Sequence, residues 1–204
     1  MTDDAIIFES LGRAAEISAG YPLRGSAEAL KAGDVHFLAL KDVSLDADID
    51  WAHVPTVELP SKRTPDWLSG DDVIFSARGT RTLAYPINDP PARAVCAPQF
   101  YVIKVKRPEK LLPAFLAWQI NQKPAQDYFS RTATGSYIQN IRRKALENLP
   151  LAIPPVHEQQ VIVEFWRAAQ RERAVLNQLI QNRNQQLDAL AVGLLHTRLR
   201  GAQQ

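Results

Sequence analysis

Apolar and polar positions alternate with period two over Gln99–Lys106, Asp72–Ser76 and Leu149–Ile153. A further apolar run, Val35–Val43, ends in a polar turn. These stretches predict strands. Asp72–Ser76 is expected to keep one face exposed. The prolines at Leu149–Ile153 point to an edge or a sheet terminus. Helical spacing begins at Pro113, a residue suited to a first helical turn, with Phe115, Leu116, Trp118 and Ile120 on one face. Pro124 restarts a second helical piece through Tyr128 and Phe129, and Phe115 and Trp118 are expected in the core. Met1–Glu9 reads as a frayed terminus.

Beyond Pro154-Pro155 the pattern is helical from Glu158 to about Leu195. Its apolar positions are Ile162, Phe165, Ala169, Leu176, Leu179, Leu187, Leu190 and Leu194, with polar interruptions at Glu172 and Arg183. That is a coiled-coil stripe. About 38 residues at 1.5 Å rise make a rod of roughly 55 Å. A preceding globule cannot bury such a stripe, so a partner helix is required. The expected division is a globular domain over 1–156 and a long helix for dimerisation and partner docking over 157–204.

With 204 residues, 46% of them apolar, the chain can bury a real core. Its one cysteine, Cys96, excludes an internal disulfide framework and fits a reducing compartment. Neither a secretory pattern nor a membrane-spanning apolar run is present, so a cytoplasmic location is expected. Charge changes the picture more. Residues 1–60 hold four Lys/Arg against eleven Asp/Glu, a net −7; residues 61–145 hold fourteen against six, a net +8; residues 146–204 are at +1. A central basic block is an electrostatic footprint for a polyanion, although a solvated basic surface has the same composition.

Candidate chemistry is concentrated in turns. Gly20-Tyr21-Pro22-Leu23-Arg24-Gly25-Ser26 is a loop in which Arg24 and Ser26 suit phosphates or bases; a plain packing loop is the alternative. Lys62 and Arg63 open the basic block. Arg78-Gly79-Thr80-Arg81 follows a strand, and two arginines flank a glycine where backbone can approach a phosphate. Arginine also forks onto guanine, though Arg78 has Asp72 as a possible ion-pair partner. Thr134-Gly135-Ser136-Tyr137 is a turn with small hydroxyls, and Ile138–Asn148 is a short helical piece carrying Gln139, Arg142, Arg143 and Lys144. Catalysis has no support. Asn88-Asp89-Pro90-Pro91-Ala92 lacks the aromatic that an amino-methyltransferase stacks on a flipped base. Pro65-Asp66 lacks the downstream acid and lysine of a nuclease site. Asp46, Asp48 and Asp50 lack the glycine and distal glutamate of a calcium loop. His36, beside apolar neighbours, is expected to be satisfied within the sheet. No cofactor or metal is expected.

The order of these pieces resembles the target-recognition domain of specificity (S) subunits from type I restriction-modification systems. The resemblance rests on the Gly135-Ser136 turn, the basic segment, the run Leu146, Leu149, Pro150, Leu151, Ile153, Pro154, Pro155, Glu158, Gln159, and the long helix that follows. Gly70-Asp71 with Arg78 and Gly79 adds to it, as does the Gly20-Tyr21 loop. It covers roughly Leu11 to Leu195, and shows once a pattern that a full S subunit carries in tandem. The resemblance implies an α+β fold, a mixed twisted-sheet target-recognition domain followed by a long C-terminal coiled-coil helix. It implies a non-catalytic, prokaryotic DNA-recognition subunit that directs a methyltransferase (M) subunit, with or without a restriction subunit, to a bipartite site. It also implies a homodimer with antiparallel C-terminal helices, through Ile162, Phe165, Leu176, Leu179, Leu187, Leu190 and Leu194. On this reading double-stranded DNA meets Arg78, Thr80, Arg81, Thr134, Ser136, Tyr137, Gln139, Arg142 and Arg143, with Arg24, Ser26, Lys62 and Arg63 in support. The alternative is a protein-interaction scaffold of the same fold without its own DNA specificity.

Overall fold

Two strands, β5 (Asp72–Ser76) and β9 (Phe100–Val105), lie at the centre and pair antiparallel along five rungs, from Asp72 opposite Lys104 to Ser76 opposite Phe100. The computed structural model describes residues 5–22, 32–59, 65–79, 82–132 and 139–201, with backbone alone at Gln139 and from residue 195 on. Strand β2 (Ala15–Ala19) pairs with the free edge of β9, and β7 (Ala84–Pro86) with that of β5, giving the order β2-β9-β5-β7.

This sheet is covered on both faces. Val73, Phe75 and Ile103 point into one core with Phe115, Leu116, Ile120 and Phe129 from the helices α2 (Pro113–Ile120) and α3 (Lys123–Thr132). Ile74, Phe100 and Val102 point the other way, into a second core. That core is closed by a three-stranded sheet, β4 (Thr56–Val57), β3 (Ala32–Leu38) and β8 (Ala94–Cys96), in which β3 and β8 run parallel. All five residues of β5 are therefore buried, which corrects the expectation of one exposed face. A strand buried on both sides takes the continuous pattern of a central layer rather than the alternation of a half-wet one. Asp72 is the polar exception: its Oδ2 accepts from the Ser69 N–H at 2.9 Å, and burial raises its pKa. It forms no ion pair with Arg78, the pairing that the sequence allowed.

The frayed terminus expected over Met1–Glu9 is corrected at Ile7–Glu9, while residues 1–4 lie outside the described residues. Residues Ile7–Ser10 form β1, antiparallel to β11 (Pro150–Ile153), with Ile7 opposite Ile153 and Ser10 opposite Pro150. The edge position expected for β11 is observed; β1 is its only strand neighbour among the described residues. A short helix, α1 (Leu11–Ala14), links β1 to β2. Phe115 is buried as expected, while Trp118 is half-buried against it, ring centres 5.3 Å apart. The stretch 138–148 is not one helix: Gln139–Asn140 form β10, paired to β6 (Arg78–Gly79), and α4 starts only at Arg143 and ends at Glu147. His36 is not satisfied as expected. Its Nδ1 is buried without a hydrogen-bond partner among the described residues, and the ring meets Trp51 edge-on.

Helix α5 runs from Val156 to Gly201, longer at both ends than its apolar stripe implied. Its first turns are bolted to the globule. Gln159 is fully buried; its Oε1 accepts from the Leu112 N–H at 2.9 Å, and its Nε2 donates to the carbonyls of Lys110 and Pro154, each at 2.7 Å. Val163 is buried in the first core, with Ile162 and Trp166 packed against it. Further along, Gln170 donates to the Leu45 carbonyl at 2.6 Å and Arg173 pairs with Asp46 at 3.3 Å. From Val175 onward every described side chain is exposed. Ile162, expected on the partner-facing stripe, is thus taken up by its own globule, and the exposed large apolar residues at that level are Val161 and Phe165.

Candidate nucleic-acid interface

Several connections gather at one end of the β2-β9-β5-β7 sheet. Past the end of β2, the Gly20 and Tyr21 N–H groups donate to the carbonyls of Phe100 and Cys96 at 2.9 and 2.8 Å. An added Cβ at Gly20 would lie 2.1 Å from the Ala97 carbonyl oxygen, so only glycine lets the two chains approach this closely. Past the end of β5, Ala77 donates to Gln99 and accepts from the Ile141 N–H, each at 2.9 Å, while Ser76 and Leu83 exchange hydrogen bonds. Beside them lies the two-rung ribbon of β6 and β10, with Gln139 opposite Gly79 and Asn140 opposite Arg78. Gly79 has φ 149°, a conformation that side chains rarely adopt. Buried Ile141 anchors the exit of β10. Asn121 and Gln126 brace the same end from the helices. Asn121 bonds both the N–H and the carbonyl of Ala84, at 2.8 and 2.7 Å, and Gln126 donates to the Thr82 carbonyl at 2.9 Å. Helix α5 passes the opposite end of β5 and β7, where its residues Trp166 and Gln170 and the strand-end residues Asp71 and Pro86 line a cleft of about 800 Å³.

Of the candidate DNA-binding residues, Arg24, Ser26, Lys62, Arg63, Thr80, Arg81, Thr134, Ser136 and Tyr137 lie outside the described residues. Gln139 is described by its backbone alone. Arg78 and Arg142 are exposed and have no acidic partner among the described residues, and the same holds for Lys144 and for Arg131 at the end of α3. Arg143 is tied to Glu147 at 2.8 Å. Elsewhere acids compensate part of the basic block: Arg93 by Asp34, Arg107 by Glu9 at 3.3 Å, Lys123 by Asp127 at 2.9 Å and Lys104 by Asp66 at 2.5 Å. Lys106 donates instead to the Gly12 and Arg13 carbonyls, each at 3.2 Å, and Lys110 is exposed with no acidic partner among the described residues. Burial works against the charge on Lys104, yet the bond to Asp66 and the charges of Asp72, Asp66 and Glu16 outweigh it and raise its pKa. Among the described residues the cations of the block without an acidic partner are thus Arg78, Arg131, Arg142 and Lys144, at or near the β6–β10 ribbon, and Lys106 and Lys110 past the far end of β9. Arg131 was not singled out from the sequence; its place just before Thr134-Gly135, where the sequence predicts a turn, was the available signal.

No cluster of three metal-ligating side chains occurs among the described residues, and no described helix is long and apolar enough to cross a membrane. The acids Asp46, Asp48 and Asp50 each have another partner: Arg173, Asn88 and His53.

A two-rung ribbon carrying Arg78 at one end of a doubly covered sheet and a long helix at the other complete an α+β module. The family model for the type I restriction modification DNA specificity domain matches residues 14–187, and the chain belongs to that family. Solved structures share the fold. The S subunit of a type I restriction-modification system from M. genitalium superposes with a TM-score of 0.52 at 14% identity, over 81% of this chain and 39% of that one. The HsdS subunit from Thermoanaerobacter tengcongensis gives 0.57 at 18%, over 85% and 39%. A chain from a structure of complex assembly and conformational transition in the type I R-M system gives 0.62 at 17%, over 91% and 43%. This chain thus spans about two fifths of the length of each. No curated protein matches the sequence.

Proposed function

We propose that this chain is a non-catalytic DNA-recognition subunit that directs a methyltransferase partner, with or without a nuclease subunit, to a bipartite DNA site. The family match carries this reading, because it spans the globule and most of α5 together. The exposed Arg78 and Arg142, beside the ribbon and without acidic partners among the described residues, support it. In this reading, Arg78 and Gln139 on the ribbon read bases, and Arg142 and Arg143 anchor phosphates. Arg143 must share its guanidinium with Glu147, so Arg142 is the stronger anchor. Arg24, Ser26, Lys62, Arg63, Thr80, Arg81, Thr134, Ser136 and Tyr137 complete the DNA face. The exposed half of α5 joins a second copy, and the symmetric dimer reads a palindrome with an unspecified gap.

The test is duplex binding at two salt concentrations, with and without the methyltransferase partner. Arg142→Ala should weaken binding to all duplexes alike and flatten the salt slope by about one unit. Arg78→Ala should lose about 1–3 kcal/mol on the cognate site and relax one base position. If neither substitution alters affinity for any duplex, the protein is a scaffold without DNA specificity of its own.

A further inference from the structure

Between Val161 and Leu194 ten exposed side chains of α5 follow an 11-residue repeat, and the exposed Val175, Ile180 and Val192 stand outside it. Val161, Glu172, Arg183 and Leu194 occupy its first position, Phe165, Leu176 and Leu187 its second, and Ala168, Leu179 and Leu190 its third. Steps of four, three and four residues return each position to the same side, since eleven residues make about three helical turns. All ten are exposed, and the large apolar ones range from 52% at Leu176 to 78% at Phe165. The face held by the globule, through Gln159, Val163, Trp166 and Gln170, lies about 160° away around the helix. The globule cannot reach over to cover this stripe.

A four-three-four pattern reads the same in both directions, so the stripe is complementary to its own antiparallel copy. Shifts of one repeat generate the registers to be compared. In one, Glu172 meets Glu172 of the partner subunit; in another, Arg183 meets Arg183 of the partner subunit. Both place like charges in the seam and leave part of the stripe uncovered. In the register between them, Val161 faces Leu194 of the partner subunit, Phe165 faces Leu190 of the partner subunit, and Ala168 faces Leu187 of the partner subunit. Leu176 then faces Leu179 of the partner subunit, and Glu172 faces Arg183 of the partner subunit. This register covers the whole stripe and matches its two charges with each other.

We propose that α5 pairs antiparallel with a second copy of this chain in the register that sets Glu172 against Arg183 of the partner subunit. The two-fold axis then passes between Leu176 and Leu179. The inference rests on the dimer of the proposed function and gives that dimer its geometry. Arg183 donates through Nη1 to Gln186 on its own helix at 3.1 Å, which leaves its other guanidinium nitrogens for the partner carboxylate. Each dimer contains the charged pair twice, flanked by leucines that shield it from water and salt.

Two sets of variants test the register on the full-length protein. Phe165→Cys combined with Leu190→Cys should form a covalent dimer on oxidation, and neither single variant should. The two positions are about 37 Å apart on one helix, far beyond disulfide reach, and the native Cys96 is buried. Glu172→Arg or Arg183→Glu alone should weaken association at least tenfold, and the two together should restore it. In a parallel pair the single cysteines would cross-link instead and the charge swaps would be indifferent. If the wild type is dimeric but the cysteine pair does not cross-link, or the charge swap does not rescue, the register is wrong and the dimer stands. If the wild type is monomeric at tens of micromolar, alone and on DNA, both fall.

Discussion

Replacing Gln159 by Ala should loosen the joint between reader and spacer more than any change on the exposed part of α5. The side chain is fully buried and makes three hydrogen bonds to backbone, one from the N–H of Leu112 and two to the carbonyls of Lys110 and Pro154. The Leu112 N–H stands at the start of α2, where the helix has no carbonyl to offer it. Truncation removes all three bonds and strands one buried donor and two carbonyls. Net hydrogen bonds contribute about 1 kcal/mol each, and an orphaned buried group costs about 1–3 kcal/mol. Shared among groups that relax in part, the loss comes to about 3–5 kcal/mol. For a domain of this size that lowers Tm by on the order of 10 °C. Urea unfolding followed by circular dichroism reads the free energy directly. Gln159→Glu is the control: it keeps the acceptor but loses both donors and buries a charge, so it should be no better than Ala. A Gln159→Ala protein within about 0.5 kcal/mol of wild type would show that the three bonds do not hold the joint.

Other outcomes follow from the same geometry. Asp72→Asn should match or exceed wild-type stability at pH 7: burial raises the Asp72 pKa above 3.8, so the folded state binds the proton more tightly than the unfolded one. Its contribution is fully present below pH 3.8 and is lost as pH rises through the folded-state value, so the advantage of Asn in a thermal melt should shrink toward pH 4. Gly20→Ala sets a Cβ 2.1 Å from backbone at Ala97 and should lower Tm by ten degrees or more, or leave the protein insoluble. In the register proposed for α5, Phe165 and Phe165 of the partner subunit are separated along the seam by about 37 Å, on the order of eleven base pairs. Half-site centres should therefore lie about one turn of duplex apart, and a series of duplexes with graded gaps should show one sharp affinity maximum.

The long helix was legible because a stripe sustained past Pro154-Pro155 has no other explanation. Its side was misjudged at the base: Ile162 fits the apolar spacing, but Gln159, Val163 and Trp166 commit that face to the globule and leave Val161 and Phe165 outside. Helices α2 and α3 announced themselves through Pro113 and Pro124. Strand β1 did not, because the pairing of Ile7 with Ile153 is set by a partner nearly the whole chain away. The same non-local logic governs charge. The acidic first third and the basic middle look like opposed blocks along the sequence, but in space Asp34 meets Arg93 and Glu9 meets Arg107. What remains uncompensated among the described residues of the block is Arg78, Lys106, Lys110, Arg131, Arg142 and Lys144, and that Arg78 and Arg142 stand beside the ribbon emerges only from the fold. Glycine and hydroxyl spacing marked Gly135-Ser136, outside the described residues, as a turn expected at the interface. Which bases such a turn would read depends on side-chain placement that spacing does not encode.

The most direct measurement of the central claim is enrichment from a pool of random duplexes by the full-length protein, together with its methyltransferase partner. The account predicts that a single bipartite motif is recovered, with two inverted half-sites separated by a gap of fixed length and unspecified sequence. Arg78→Ala should lose one position from each half at once. A recovered pool with no motif, or a motif unchanged by Arg78→Ala and Arg142→Ala alike, would contradict the assignment of DNA reading to the β6–β10 end of this fold.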